Sequence, residues 1–128
     1  MPIVGHGVDI VSIARIERML SDHADRFAER CFTERERSYC DAGGKNRAER
    51  YAARFAAKEA VYKALGGSGV EGLGWLEAEV KNEAGGRPIL TISGNAAKAA
   101  EELGVTRWAI SLSHTTDTAI ASVIAECD

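Results

Sequence analysis

Arg54-Phe55-Ala56-Ala57-Lys58-Glu59-Ala60-Val61-Tyr62-Lys63-Ala64-Leu65-Gly66 reads as the core of a helix. Alanine is a strong helix former, and no residue interrupts the run before Gly66 supplies a C-terminal stop. Phe55, Val61, Tyr62 and Leu65 provide bulk for a core. Ala52, Ala56, Glu59, Lys63 and Gly66 recur every three or four residues and so share one stripe. The long side chains on that stripe are one acid and one base. Their small neighbours leave room for another backbone or a ligand. Arg47, Arg50, Arg54 and Lys58 form a second, wholly basic stripe. Taken alone, Glu59 and Lys63 are a solvated i,i+4 ion pair worth about 0.2–0.5 kcal/mol. The rest of the chain changes that reading.

A length of 128 residues suits one domain with a real core, and 45% hydrophobic residues place the chain among globular proteins. The net charge of −3 argues against a general nucleic-acid binder. Arginines nevertheless cluster between Arg15 and Arg54, while Glu71, Glu77, Glu79, Glu83, Glu101 and Glu102 come later. A basic face on an acidic chain points to a specific anionic partner, or else to helices solvated by arginine. Cys31, Cys40 and Cys127 are odd in number and lack metal-ligand spacing, which suits free thiols in a reducing compartment. No stretch has the roughly 20 apolar residues of a membrane span, and no signal-peptide pattern opens the chain. A cytoplasmic location is expected, with neither membrane nor nucleic acid as a partner.

Ile3 to Ile13 reads as a strand whose glycines suggest a bulge or close backbone approach. Asp9 is the anomaly in it, since a carboxylate buried amid Val8, Ile10 and Val11 needs a partner; on an edge strand it would face water. Ser12 can cap a helix to Leu20 that buries Ile13, Ile16 and Leu20. Arg15, Arg18 and Met19 fall outside that stripe, and Arg26, Phe27 and Arg30 continue the basic theme in a short second helix. Thr33 and Glu36 fit a capping box for a helix ending at Gly43-Gly44. The central helix then runs from Lys45 to Leu65. Gly66-Gly67-Ser68-Gly69 reads as a connector and does not match a P-loop. From Trp75 the apolar period becomes two. Asn82 to Gly86 turns the chain into a return strand, Arg87 to Ile92. Ser93 or Asn95 caps a helix to Leu103. Thr106 to His114 and Thr118 to Ala125 form a second hairpin around Thr115-Thr116-Asp117.

An acid on a strand and an acid on a helix suggest a two-carboxylate site for a hard divalent cation. Magnesium takes one or two carboxylates and completes its shell with water and phosphate oxygens. Lys63, one turn from Glu59, suits a phosphate oxygen. Arg54 and Lys58 extend the positive surface, and His114 can add a donor. The residues therefore point to magnesium-assisted phosphate chemistry. A non-catalytic module binding an acidic protein through Arg15 to Arg30 is one alternative. A magnesium-dependent nucleotide hydrolase is another.

Gly7-Val8-Asp9, followed by Phe55-Ala56-Ala57-Lys58-Glu59-Ala60-Val61-Tyr62-Lys63, resembles the two signature motifs of the phosphopantetheinyl transferases. The short chain, the motif separation and the late Ser111-Leu112-Ser113-His114 look like that family's bacterial holo-acyl-carrier-protein synthase group. The resemblance covers nearly the whole chain. It implies an α+β fold, one domain over residues 1–128 with a long central helix packed on an antiparallel sheet. The implied reaction moves the phosphopantetheine arm of coenzyme A to a serine of apo-acyl carrier protein. Adenosine 3',5'-bisphosphate leaves, and the product serves fatty acid biosynthesis. By position, Asp9 and Glu59 would hold magnesium against the pyrophosphate, and Lys63 would neutralise the transferring phosphoryl group. Arg54, Lys58, Gly66, Ser113 and His114 would contact coenzyme A. Arg15, Arg18, Met19, Arg26, Phe27 and Arg30 would dock the acidic carrier. Glu59 and a magnesium-held water are both candidates for the base that takes the serine proton. The family further implies a homotrimer with active sites between subunits.

Overall fold

The structure, a computed structural model, describes residues 2–23, 25–67 and 74–128. The chain opens with strand β1 (Ile3–Ser12) and helices α1 (Ile13–Asp22), α2 (Asp25–Cys31) and α3 (Glu34–Asp41). A 3-10 turn at Gly44–Asn46 leads into the long helix α4 (Arg47–Ala64). A second 3-10 turn at Trp75–Glu77 precedes β2 (Ala78–Asn82), β3 (Pro88–Ile92), α5 (Gly94–Glu102), β4 (Arg107–His114) and β5 (Thr118–Glu126). The fold is α+β with antiparallel pairing throughout: a sheet ordered β1-β5-β4 and a separate β2-β3 hairpin. Among the described residues, no helix is long and apolar enough to cross a membrane.

Local signals place the helix ends. The Ser12 side chain accepts the Arg15 N–H, which ends β1 and starts α1. Thr33 and Glu36 form both bonds of the capping box. Ser93 occupies the N-cap of α5 without a side-chain bond, and the Glu77 carboxylate accepts the Ala96 N–H instead. That use of Glu77 goes with a shorter β2 than the alternating pattern predicts. Trp75 stacks on Phe55 at 4.9 Å between centroids, so Trp75–Glu77 turns and the strand begins only at Ala78. Of the glycine loop, Ser68 and Gly69 lie outside the described residues.

The helix α4 crosses β1 and β5 and sets the core. Its alanines at 52, 53, 56, 57, 60 and 64 are all buried. Opposite them β5 presents Ala119, Ala121, Val123 and Ala125, each without exposed surface. On β1 the cross-strand partners of the last three are Asp9, Gly7 and Gly5, so these residues share the helix-facing side. A Cβ on Gly7 would stand 1.9 Å from the Ala60 carbonyl oxygen, and one on Gly5 1.9 Å from that of Ala64. The two glycines thus permit backbone-to-backbone contact between strand and helix.

The C-terminal half of the basic stripe of α4 is not a surface: Arg47 and Arg50 keep exposed area, but Arg54 and Lys58 are buried. Lys58 has no exposed surface and Arg54 keeps 3%. Lys58 is buried because the acid it needs, Glu36, is buried beside it at 2.8 Å.

Gly7→Ala should expel β1 from its seat, because the obstacle is helix backbone and cannot rotate away. The expected loss is roughly 3 kcal/mol or more, at the upper end for overpacked positions. Thermal unfolding of purified variant and parent checks this, and an unchanged melting temperature would contradict the close approach.

Candidate active site

Asp9 leaves β1 on the helix side, two residues beyond Gly7. Because the strand lies so close to α4, Lys63 reaches back across the contact. Its ammonium donates to Asp9 Oδ1 at 3.0 Å and to the Val8 carbonyl at 3.0 Å. The sequence pairs Lys63 with Glu59, but the structure gives it Asp9, whose side chain keeps 17% of its surface. Glu59, one turn earlier on α4, faces the same region. Burial and then the nearby Asp9 carboxylate push the Glu59 carboxyl above the usual glutamate range, against the pull of Lys63 and Arg15. Two carboxylates therefore share a space in which one resists ionising, an arrangement a divalent cation would relieve. Among the described residues no cluster of three or more metal-type side chains exists. Water and substrate oxygens would have to complete the shell, as suits magnesium.

Asp9 and Glu59 open into a cavity of about 450 Å³. Arg15 and Met19 come to it from α1, Phe27 and Arg30 from α2. Four of the six expected docking residues therefore line the same cavity as the carboxylates. Arg18 and Arg26 are exposed and lie off its wall. Met19 is half-buried against the core rather than exposed, and Phe27 is buried with its ring edge-on to Phe32.

The remaining expected contacts lie elsewhere. Arg54, Ser113 and His114 border a second cavity of about 500 Å³, with Tyr39, Arg50 and Pro88. The guanidinium groups of Arg50 and Arg54 each lie 4.2 Å from the Tyr39 ring centroid. Arg54 donates to Asn82 Oδ1, and its Nε is buried without a partner. His114 Nε2 stands 2.9 Å from Glu49 Oε1. Arg54 sits in α4 one turn and a residue before Glu59, yet belongs to a different cavity. Gly66 is exposed just past α4 with φ +115°.

Lys58 needs correction. It was expected at a phosphate-facing surface, but all three of its N–H groups are used inside the core. They reach Glu36 Oε1, the Trp75 carbonyl and the Ala78 carbonyl at 2.7–2.9 Å. Only a protonated amine has three such donors, so the geometry holds an ammonium, although burial lowers its pKa. Residues the sequence reading did not assign to the site include Cys31, Phe55 and Trp75 beside the carboxylates and Tyr39 and Arg50 in the second cavity. Each reads locally as an ordinary core or surface residue, and only the tertiary fold turns it toward a cavity.

The sequence profile of the 4'-phosphopantetheinyl transferase superfamily matches residues 5–121. A holo-[acyl-carrier-protein] synthase of Anaeromyxobacter dehalogenans is 50% identical over 127 residues, covering 97% of this chain and 96% of the relative. The crystal structure of holo-[acyl-carrier-protein] synthase from Neisseria meningitidis superposes with a TM-score of 0.87. It is 36% identical and covers 98% of this chain and 99% of its own. The Helicobacter pylori holo-[acyl-carrier-protein] synthase, crystallised with coenzyme A, has a TM-score of 0.81 at 30% identity. That match covers 94% of this chain and 99% of its own.

The raised Glu59 carboxyl has a thermodynamic consequence. The folded state holds this proton more tightly than the unfolded chain, so folding loses stability as pH rises through that range. Glu59→Gln, without metal, should therefore melt no lower than the parent at neutral pH. The advantage should fade below the ordinary glutamate value of 4.5, where both states are protonated. Melting curves across pH check this. A Glu59→Gln protein less stable than its parent at pH 7 would contradict the crowded-carboxylate reading.

Proposed function

Because this chain belongs to the 4'-phosphopantetheinyl transferase superfamily, we propose that it is a holo-acyl-carrier-protein synthase. It moves the phosphopantetheine arm of coenzyme A to a serine of apo-acyl carrier protein and releases adenosine 3',5'-bisphosphate, in support of fatty acid biosynthesis. The observation that carries this reading is the joining of Asp9 and Glu59 with Arg15 and Arg30 in one cavity. A site for phosphate chemistry and a face for an acidic protein open into the same space. A module that only bound an acidic partner would have no use for two crowded carboxylates there.

Asp9 and Glu59 are the residues that would hold magnesium, which would supply charge neutralisation on the pyrophosphate. Lys63, fixed by Asp9 and the Val8 carbonyl, presents its ammonium to the transferring phosphoryl group. Phosphoryl transfer depends on such placement of charge more than on covalent help from the protein. Arg54, Ser113 and His114, which border one cavity, receive the nucleotide end of coenzyme A. Gly66, beyond Lys63, is available to the same substrate.

The two halves of this machinery lie in separate cavities of one chain. A homotrimer resolves that separation by setting one subunit's carboxylates beside another's Arg54 and His114. The sheet offers a surface for assembly. Its face away from α4 exposes Val8 and Ile10 on β1 and Ile120 on β5, with Ile10 and Ile120 directly opposed. The free thiols at Cys31, Cys40 and Cys127 suit a cytoplasmic setting.

The direct test incubates the purified protein with apo-acyl carrier protein, coenzyme A and magnesium and follows carrier mass. The expected result is a shift of one phosphopantetheine, lost with Glu59→Gln and with Asp9→Asn. An unmodified carrier, or full turnover by both variants, would defeat the reading. The docking face should act through charge. Arg15→Glu should raise KM for the carrier and leave KM for coenzyme A nearly unchanged, and parental association should weaken with salt. Steady-state kinetics at two ionic strengths read both effects, and a silent Arg15→Glu with salt-independent KM would leave α1 merely solvated.

A further inference from the structure

We infer that the buried pair Lys58–Glu36 is a positioning device that sets the Trp75 wall of the carboxylate cavity; this rests on the functional reading above. Both side chains are essentially without exposed surface. Lys58 sits on α4 immediately before Glu59, and its ammonium donates to the Trp75 carbonyl at 2.9 Å and the Ala78 carbonyl at 2.7 Å. Its third bond goes to Glu36 Oε1 at 2.8 Å. Glu36 spends its other oxygen on the Val80 N–H, also at 2.8 Å, and caps Thr33 through Oε1. The pair thus ties α3 and α4 to the start of β2 and to the turn before it. One turn along α4, the Tyr62 hydroxyl donates to the Gly74 carbonyl. Side chains of α4 therefore hold carbonyls at both Gly74 and Trp75.

What this fixes is the Trp75 indole. It stacks on Phe55 with an interplanar angle of 21°, and both rings line the cavity that holds Asp9 and Glu59. Phe55 and Glu59 leave α4 one turn apart, while Trp75 arrives on a separate segment. Its distance from the carboxylates is therefore set by the link between that segment and α4. Lys58 is that link. An apolar pair would fill the same space and spare the desolvation of a buried ion pair, but it would leave the Trp75 and Ala78 carbonyls and the Val80 N–H without their bonds. Two of the three Lys58 bonds go to the segment that carries Trp75, so the pair places that segment as well as stabilising it. Trp75, with Met19 and Phe27, forms the apolar wall beside the basic Arg15 and Arg30. Such a wall meets the serine-bearing segment of the carrier, not the nucleotide end of coenzyme A.

The test removes both charges and keeps the volume: Lys58→Met with Glu36→Leu in one chain, assayed beside the parent. A fold-only role would restore full activity with the fold, or would lower the active fraction and hence kcat, leaving both KM values alone. Positioning predicts a folded protein whose KM for apo-acyl carrier protein rises roughly tenfold or more, as when a supporting residue is lost, with KM for coenzyme A unchanged. Trp75→Ala tests the same link without touching the buried pair and should raise the same KM. It should also mask the effect of the double change when the two are combined, because both act through one wall. In a Trp108→Phe background, the double change should also shift Trp75 emission. Parental carrier KM in the folded double variant overturns the inference, and so does parental KM in Trp75→Ala. If the parent itself transfers nothing, it is the synthase reading that fails.

Discussion

The contact between the β1 backbone and the α4 backbone governs this molecule. Gly5 and Gly7 stand where any side chain would strike the carbonyls of Ala64 and Ala60. That approach brings Asp9, two residues past Gly7, within reach of a lysine projecting from the helix. With a larger residue at Gly7, the strand would sit farther out and Lys63 could not bond both Asp9 and the Val8 carbonyl. The alanines of α4 and of β5 serve the same end, because a low, flat interface lets the helix lie against the sheet. A core built this way trades bulk for proximity, and Phe27, Phe32, Tyr51 and Phe55 restore the lost volume at one end.

From that contact the helix distributes functions by face. Glu59 turns toward the first two helices, Arg54 toward the β4 edge, and Lys58 into the interior. Three charged residues within six positions thus meet three environments. The crowded carboxylate of Glu59 is a local cost that the proposed metal would relieve. The buried ammonium of Lys58 is a different cost, offset by three acceptors, and it stabilises a wall. Lys63 remains half-exposed, which suits a group that must exchange a protein acceptor for a substrate oxygen.

Much of this was legible locally. The capping box at Thr33 and Glu36, the Ser12 cap and both hairpins follow from residues within four positions of each other, and all formed. The glycines of β1 signalled close approach, and the Gly7-Val8-Asp9 and Lys58-Glu59 motifs carried the family. What failed was tertiary. A stripe of Arg47, Arg50, Arg54 and Lys58 reads as one positive surface, because nothing near Lys58 reveals an acid 22 residues earlier folded against it. Trp75 reads as the first residue of a strand until Phe55 stacks on it. The division of the site between two cavities was also invisible, since helical spacing tells which residues share a side and not what that side meets.

Lys63 tests the central claim most directly, namely that the close helix–strand contact exists to place charge for phosphoryl transfer. Its pairing with Asp9 is partly exposed, so Lys63→Met should cost only about 0–1 kcal/mol of stability. A group acting on the transferring phosphoryl should instead be missed in the transition state, and losing one such donor commonly costs about a hundredfold or more in rate. The measurement is steady-state transfer to apo-acyl carrier protein by Lys63→Met, with its melting temperature taken on the same preparation. The account predicts a collapse of kcat at nearly parental stability. Parental kcat with a lowered melting temperature would make Lys63 a brace for Asp9 and contradict the account.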